Sequence, residues 1–297
     1  TYSAAPGADV IISGGEPLPP FHATATGRWE SPSPTPNGTI EQLWVNDRRA
    51  PRARSLRLGQ PYAFLQSLEE ERVISGTQGS DLYEQVLRVD PTDLAAFRQA
   101  NAAEIHDAVI NLFHKWDNTR RRITSVDVNE GLIVITGGPV KPHNTLDHQT
   151  GFILENLPAL LDEPAEWFPA RSGQVTYLPR TGETAANAVV VRPVSERFLV
   201  LTGNAAQPVQ HLRFEGLCFH HAKGVESTAT FQPNQAAVQS VDGVIVASHT
   251  RDVAFVGCEV AHVGSYGISL RQGCRRVIIE HCLLTDLGAG GIKVGTT

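Results

Sequence analysis

The stretch that decides the fold runs from Gly257 to Gly295, GCEVAHVGSYGISLRQGCRRVIIEHCLLTDLGAGGIKVG. It states one pattern twice. Cys258 returns as Cys282 and Gly267 as Gly291, each 24 residues on, while Val253 and Phe255 return as Val277 and Ile279. Three segments align upstream and down: HLRFEGLCFHHA (211–222), DVAFVGCEVAHV (252–263) and RVIIEHCLLTDL (276–287). Each alternates apolar with other residues over short runs, which is the signature of strands. A further strand follows each, opening at Gly243, Gly267 and Gly291. A fixed period of this size without helices predicts a solenoid, here a parallel β-helix whose coils stack about 4.8 Å apart. Val253 is then expected over Val277, Phe255 over Ile279, Cys258 over Cys282 and Ile268 over Ile292. The glycines before each third strand are expected to supply positive φ at a tight corner.

The pattern extends backwards with less regularity. FLVLTG (198–203) and QVTYLP (174–179) read as strands of earlier coils, and YSAAPGADVIISGG (2–15) reads as a coil of its own. Between them the period is lost. The segment holds a Pro/Ser/Asn loop, SPSPTPNG (31–38), and strand-like pieces EQLWVN, HDAVINLFHKW, RRITSVDV and GLIVITG. It also holds a short helix in DPTDLAAFRQA, with Pro91 near its start. The expected organisation is a coil at 1–28, an inserted β-rich module of sandwich or barrel type at 29–163, and coils at 164–297.

The chain has 297 residues, is 41% hydrophobic and 19% charged, and carries a net charge of −6. It can bury a sizeable core, and it lacks the basic footprint of a nucleic-acid or anionic-lipid binder. Its dense basic runs, DRRAPRAR (47–54) and TRRR (119–122), are short and read as surface or salt-bridged arginines. No apolar run approaches the roughly 18 residues of a membrane helix. Neither a nucleic-acid nor a membrane partner is expected. The four cysteines, Cys218, Cys258, Cys274 and Cys282, form no CxxC pair, so no metal site is expected, and no cofactor is called for. The chain contains no Met, starts at Thr1 and stops within the repeat, so a fragment lacking both ends is expected.

Several segments in this order, EQLWVNDRRAPRARS, FHKWDNTRRRI, LENLPALLDEPAEWF, YLPRTGE, LRFEGLCFHHA and CLLTDLGAGGIKVG, together resemble the large bacterial right-handed β-helix proteins related to glycoside hydrolase family 141. The resemblance covers nearly the whole chain and speaks more to architecture than to reaction. It departs locally where Pro164, Ala165, Glu166 and Trp167 stand in place of Pro-Gly-Glu-Trp. It implies a right-handed parallel β-helix of the pectin lyase-like type, and a secreted or periplasmic bacterial enzyme acting on plant cell-wall polysaccharide, of fucosidase or xylanase type. It also implies further coils on both sides, with the catalytic carboxylates beyond Thr297.

Glycoside hydrolysis needs two carboxylates, one held protonated and one ionised. The residues offer candidates for substrate binding but no catalytic pair. His221, His262 and Asp286 align in the three segments, and His262 is expected to lie over Asp286. Such a pair serves acid–base work or holds a sugar hydroxyl; equally, it is a hydrogen-bond ladder at a turn. Tyr266 is expected on the loop after His262, either against a sugar ring or in packing. His114 and Trp116 are expected on one face of a strand with Ile110 and Leu112, in the core or leaning towards the substrate. Glu163 and Glu166 read as part of a turn. A polysaccharide lyase and a non-catalytic carbohydrate-binding or adhesin solenoid remain alternatives. The sugar, the linkage and the oligomeric state stay open.

Overall fold

The structure is a computed structural model that describes residues 1–31, 40–56, 62–76, 81–224 and 241–295. Residues 32–38 of the expected Pro/Ser/Asn loop lie outside these. The fold is nearly all β. Among the described residues, helix is confined to Ala102–Asp107 and three short 3-10 turns, Pro91–Phe97, Pro158–Leu160 and Ala185–Asn187. Pro91 opens its turn as expected, with the Asp90 side chain accepting from the Thr92 amide. The α-helix at 102–107 went unread in the sequence, although Asn101 and Glu104 form a reciprocal cap there.

The repeat builds three four-stranded parallel sheets. The first joins Tyr2–Ser3, Val209–Glu215, Thr250–Val256 and Arg275–Glu280. The second joins Val10–Ser13, Leu217–Ala222, Glu259–Val263 and Leu283–Leu287. The third joins Leu199–Thr202, Gly243–Ser248, Tyr266–Leu270 and Ile292–Val294. Val253 pairs with Val277, Phe255 with Ile279 and Ile268 with Ile292, so the 24-residue interval is the sheet register. These strands enclose one apolar core that includes Phe214, Phe219, Ile245, Phe255, Cys258, Val260 and Ile268. Phe214 and Phe255 stack within it at 5.1 Å between ring centroids, and the exposed Tyr2 ring continues the stack 5.4 Å from Phe214.

Corners in this core are made by residues in the left-handed region, and they too repeat. His211, Asp252 and Arg276 form one set, Gly216, Gly257 and His281 a second, and His221, His262 and Asp286 a third, all with positive φ. His and Asp tolerate this conformation better than most side chains. Gly243, Gly267 and Gly291 do not have positive φ, contrary to expectation. At Gly243 the constraint is close approach, since a Cβ would lie 2.7 Å from the Ser269 amide nitrogen.

Most strand pairings elsewhere are antiparallel. A seven-stranded sheet runs in the order Ala63–Phe64, Gly151–Glu155, Val109–Phe113, Asn118–Asp127, Leu132–Gly137, Leu82–Arg88, Ser67–Ser75. It covers a core of Leu87, Leu94, Ile110, Leu112, Ile133, Phe152 and their neighbours. Two further four-stranded antiparallel sheets share a third core that includes Leu18, Trp29, Leu43, Trp167, Tyr177 and Val190. Val175–Tyr177 belongs here, paired with Trp167–Pro169 and Trp29–Glu30, and is not the coil strand that its alternation implied. Alternation reports a half-buried strand but not the direction of its partner. The third core therefore draws on residues from either side of both expected boundaries, 28/29 and 163/164.

The aromatic stack gives a direct check on the parallel core. Phe255→Ala should lower stability by about 3–5 kcal/mol, as for other buried phenylalanines. The urea midpoint measures this, and a shift worth less than about 1 kcal/mol would show that the coil core is loosely packed.

Candidate functional site

Where the parallel sheets meet the antiparallel part, a hairpin carries the contact. LWVNDRRA folds as Leu43–Val45 and Arg48–Ala50 around Asn46 and Asp47, whose φ values are 52° and 55°. Two successive left-handed residues make the type I′ turn that suits a tight hairpin. Trp44 and Arg49 are cross-strand partners, so both side chains leave the same face. The Arg49 guanidinium lies over the Trp44 ring, 4.6 Å from its centroid.

Both reach Asp286. Trp44 Nε1 donates to Oδ2 at 2.8 Å, Arg49 Nε donates to Oδ1 at 2.6 Å, and His262 Nδ1 bonds Oδ2 at 2.9 Å. Arg49 Nη2 also donates to the carbonyls of Val263 and Asp286, at 2.9 and 3.0 Å. Burial alone would raise the Asp286 pKa, but the bonds from His262, Trp44 and Arg49 and the charge of Arg49 outweigh it and bring it to about 2. An acceptor so saturated and so weakly basic is a clamp; it is a poor general base.

The expected stack is present in space. The His221 and His262 rings lie 5.4 Å apart at 16°, and His262 sits over Asp286 one coil on. Trp44 meets the His221 ring edge-on at 5.6 Å. His221 Nδ1 lies 3.2 Å from Ser13 Oγ, while its buried Nε2 has no hydrogen bond. Asp47 Oδ1, 3.6 Å from that nitrogen, is too distant for one. Burial, then the neighbouring His262 and His220, lower the His221 pKa to about 4, so its ring is neutral at neutral pH.

The other candidates lie elsewhere. Tyr266 is not on a loop; it opens the strand Tyr266–Leu270 and is buried. The strand carrying His114 and Trp116 ends at Phe113, so their expected common face does not form. Trp116 is exposed, and His114 lines a separate small cavity with Asp117, Arg121 and Asn144. Glu166 does lie in a turn, where its carboxylate accepts from the amides of Asp162 and Glu163. Burial raises its pKa to about 7, yet the residue is only 1% exposed and out of reach of a substrate.

Beside the clamp opens a cleft of about 340 Å³, lined on one side by Arg49, Arg52, Arg54, Arg120, Glu41, Glu155 and Trp167 and on the other by Lys223, Gly224 and Gly264. Glu41 pairs with Arg52 at 3.1 Å and Arg120 at 3.3 Å, and Glu155 pairs with Arg120 at 3.5 Å. The Arg52 guanidinium covers the Trp167 ring, 5.0 Å from its centroid. Arg49, Arg52 and Arg120 are salt-bridged, as the runs 47–54 and 119–122 suggest, but their carboxylate partners and their gathering at one cleft have no mark in the sequence. The one local signal was Asn46-Asp47 between an apolar and a basic strand.

No family model matches the chain, and no curated protein matches it. Among solved structures it is similar to a protein described as a glycoside hydrolase, with a TM-score of 0.77 and 21% identity over 97% of this chain. The chain spans about half of that protein, 54% of its length. At this identity the likeness shows a common fold.

The site has a defined pH signature. His221 and Asp286 both have pKa values below their unfolded ones, so each contributes stability that is complete at high pH and lost on acidification. His221 should act between about pH 6.5 and 4, and Asp286 between about 4 and 2, the latter worth about 2 kcal/mol. Urea midpoints measured across this range should fall in both windows, and His221→Asn, which keeps a residue tolerant of the left-handed backbone, should flatten only the upper one.

Proposed function

We propose that the chain is part of a carbohydrate-active protein, a secreted glycoside hydrolase acting on plant cell-wall polysaccharide at fucosidic or xylosidic linkages. The observation that carries this reading is the likeness to a glycoside hydrolase across 97% of the chain. The resemblance of its segments to glycoside hydrolase family 141 supports the substrate class. On this reading the three parallel sheets are the faces of a right-handed β-helix, each coil contributing one strand to each, and the antiparallel part is a module leaning over it.

The cleft at the seam is the proposed glycan site. Five cationic side chains line it against two carboxylates, Glu41 and Glu155, which favours a glycan that itself bears carboxylates. Neither glutamate stands free in the cleft: Glu41 is paired with Arg52 and Arg120, and Glu155 with Arg120. We therefore give these residues the task of holding the polymer and not that of the catalytic pair.

Calorimetric titration with an oligogalacturonide and a neutral xylo-oligosaccharide tests this. The acidic sugar should bind more tightly, with an affinity that falls as salt rises. Arg54→Gln and Lys223→Gln should each weaken it about tenfold, the loss of one charge-assisted hydrogen bond. Absence of binding by either sugar would remove the support for a glycan cleft. Unsaturated products from the longer protein would favour a lyase.

A further inference from the structure

The outer face of the second parallel sheet gathers three donors that are remote in sequence. Cys218 and His220 are two apart on the strand Leu217–Ala222, so they share a face. The intervening Phe219 turns inward, fully buried in the core. One coil on, Glu259 is the register partner of Cys218, and Ala261 is the partner of His220. The small Ala261 leaves room for the His220 ring to reach Glu259, with Nε2 3.0 Å from Oε1. The Cys218 Sγ, a His220 ring nitrogen and a Glu259 oxygen all lie within 4.8 Å of one another.

We propose that Cys218, His220 and Glu259 form a binding site for a transition-metal dication of the zinc class, with one coordination position open to solvent. One thiolate, one imidazole and one carboxylate suit such an ion, whereas calcium and magnesium prefer oxygen donors alone. Closing the three donors to bonds of about 2.0–2.3 Å needs only side-chain movement, because the register already sets the backbone. His220 is buried among the rings of His221 and His262, with centroids 5.8 and 5.1 Å away, and these neighbours restrict its orientation. Glu259 retains 32% side-chain exposure, which leaves a path for the ion and for a water in the fourth position. Ile11 and Leu283, the register partners of Cys218 and Glu259 on the flanking coils, border the site with aliphatic surface. Linear spacing concealed the site: no CxxC pair marks it, and the third donor stands 41 residues from the first.

A cysteine ligand binds as its thiolate, so loading the site releases a proton and apparent affinity should rise with pH. The test is titration of the intact chain with cobalt(II), followed by absorption. Binding of one ion should produce a thiolate-to-cobalt charge-transfer band in the near ultraviolet and visible bands of a four-coordinate ion. Zinc should displace it. Cys218→Ser should abolish the charge-transfer band, Glu259→Gln should weaken binding about tenfold or more, and Cys274→Ser should leave both unchanged. Circular dichroism establishes that each variant is folded. A folded chain that gives no thiolate band, or a band that survives in Cys218→Ser, would overturn the assignment.

Discussion

The Asp286 carboxylate is where the two halves of the molecule meet. It stands on the strand Leu283–Leu287, yet two of its three side-chain donors, Trp44 and Arg49, come from a hairpin more than 230 residues earlier. The Arg49 side of the cleft depends on that convergence. Arg49 extends beyond Asp286 to two backbone carbonyls and also lines the cleft. Were the hairpin free to move, the cationic wall and the coil wall would no longer enclose one space. A partly buried carboxylate held by several charged and neutral donors is a costly element to assemble, and breaking it leaves an uncompensated charge. That cost makes it a good device for fixing one arrangement of two bodies.

The same residues show why a position can look catalytic in sequence and be architectural in space. His221, His262 and Asp286 occupy equivalent left-handed positions on three register-matched strands of one parallel sheet. Each position demands a residue that tolerates positive φ, and His and Asp qualify. Once there, their side chains stack because the strands pair in parallel register. The coincidence of polar residues at one interval therefore has a conformational cause before it has a chemical one. Chemistry enters through what the stack adjoins: the cleft on one side and the Cys218–His220–Glu259 group on the other.

Much of the parallel core could be read from the chain, because a 24-residue interval forces both strand direction and register: Val253 over Val277 and Ile268 over Ile292 follow from counting. The antiparallel part yielded less. Its strands alternate in the same way, so Val175–Tyr177 could not be told from a coil strand until its partners Trp29–Glu30 and Trp167–Pro169 were in view. His114 and Trp116 continue the alternation of Ile110 and Leu112 but lie past the strand's end at Phe113, which alternation does not mark. The site was legible only where its members repeat. Asp286 and His262 share an interval that pairs them; Arg49 and Trp44 share none with them, and long-range ion pairs leave no trace in a single sequence.

The account stands or falls on whether Asp286 holds the hairpin to the coils. Hydrogen exchange of the intact chain, compared between the native sequence and Asp286→Asn, measures this most directly. The account predicts faster exchange at the amides of residues 43–50 and 262–264, with the seven-stranded sheet around Val109–Phe113 unchanged. Equal protection of residues 43–50 in both proteins would contradict it and would mean that packing alone, without the carboxylate, fixes the seam.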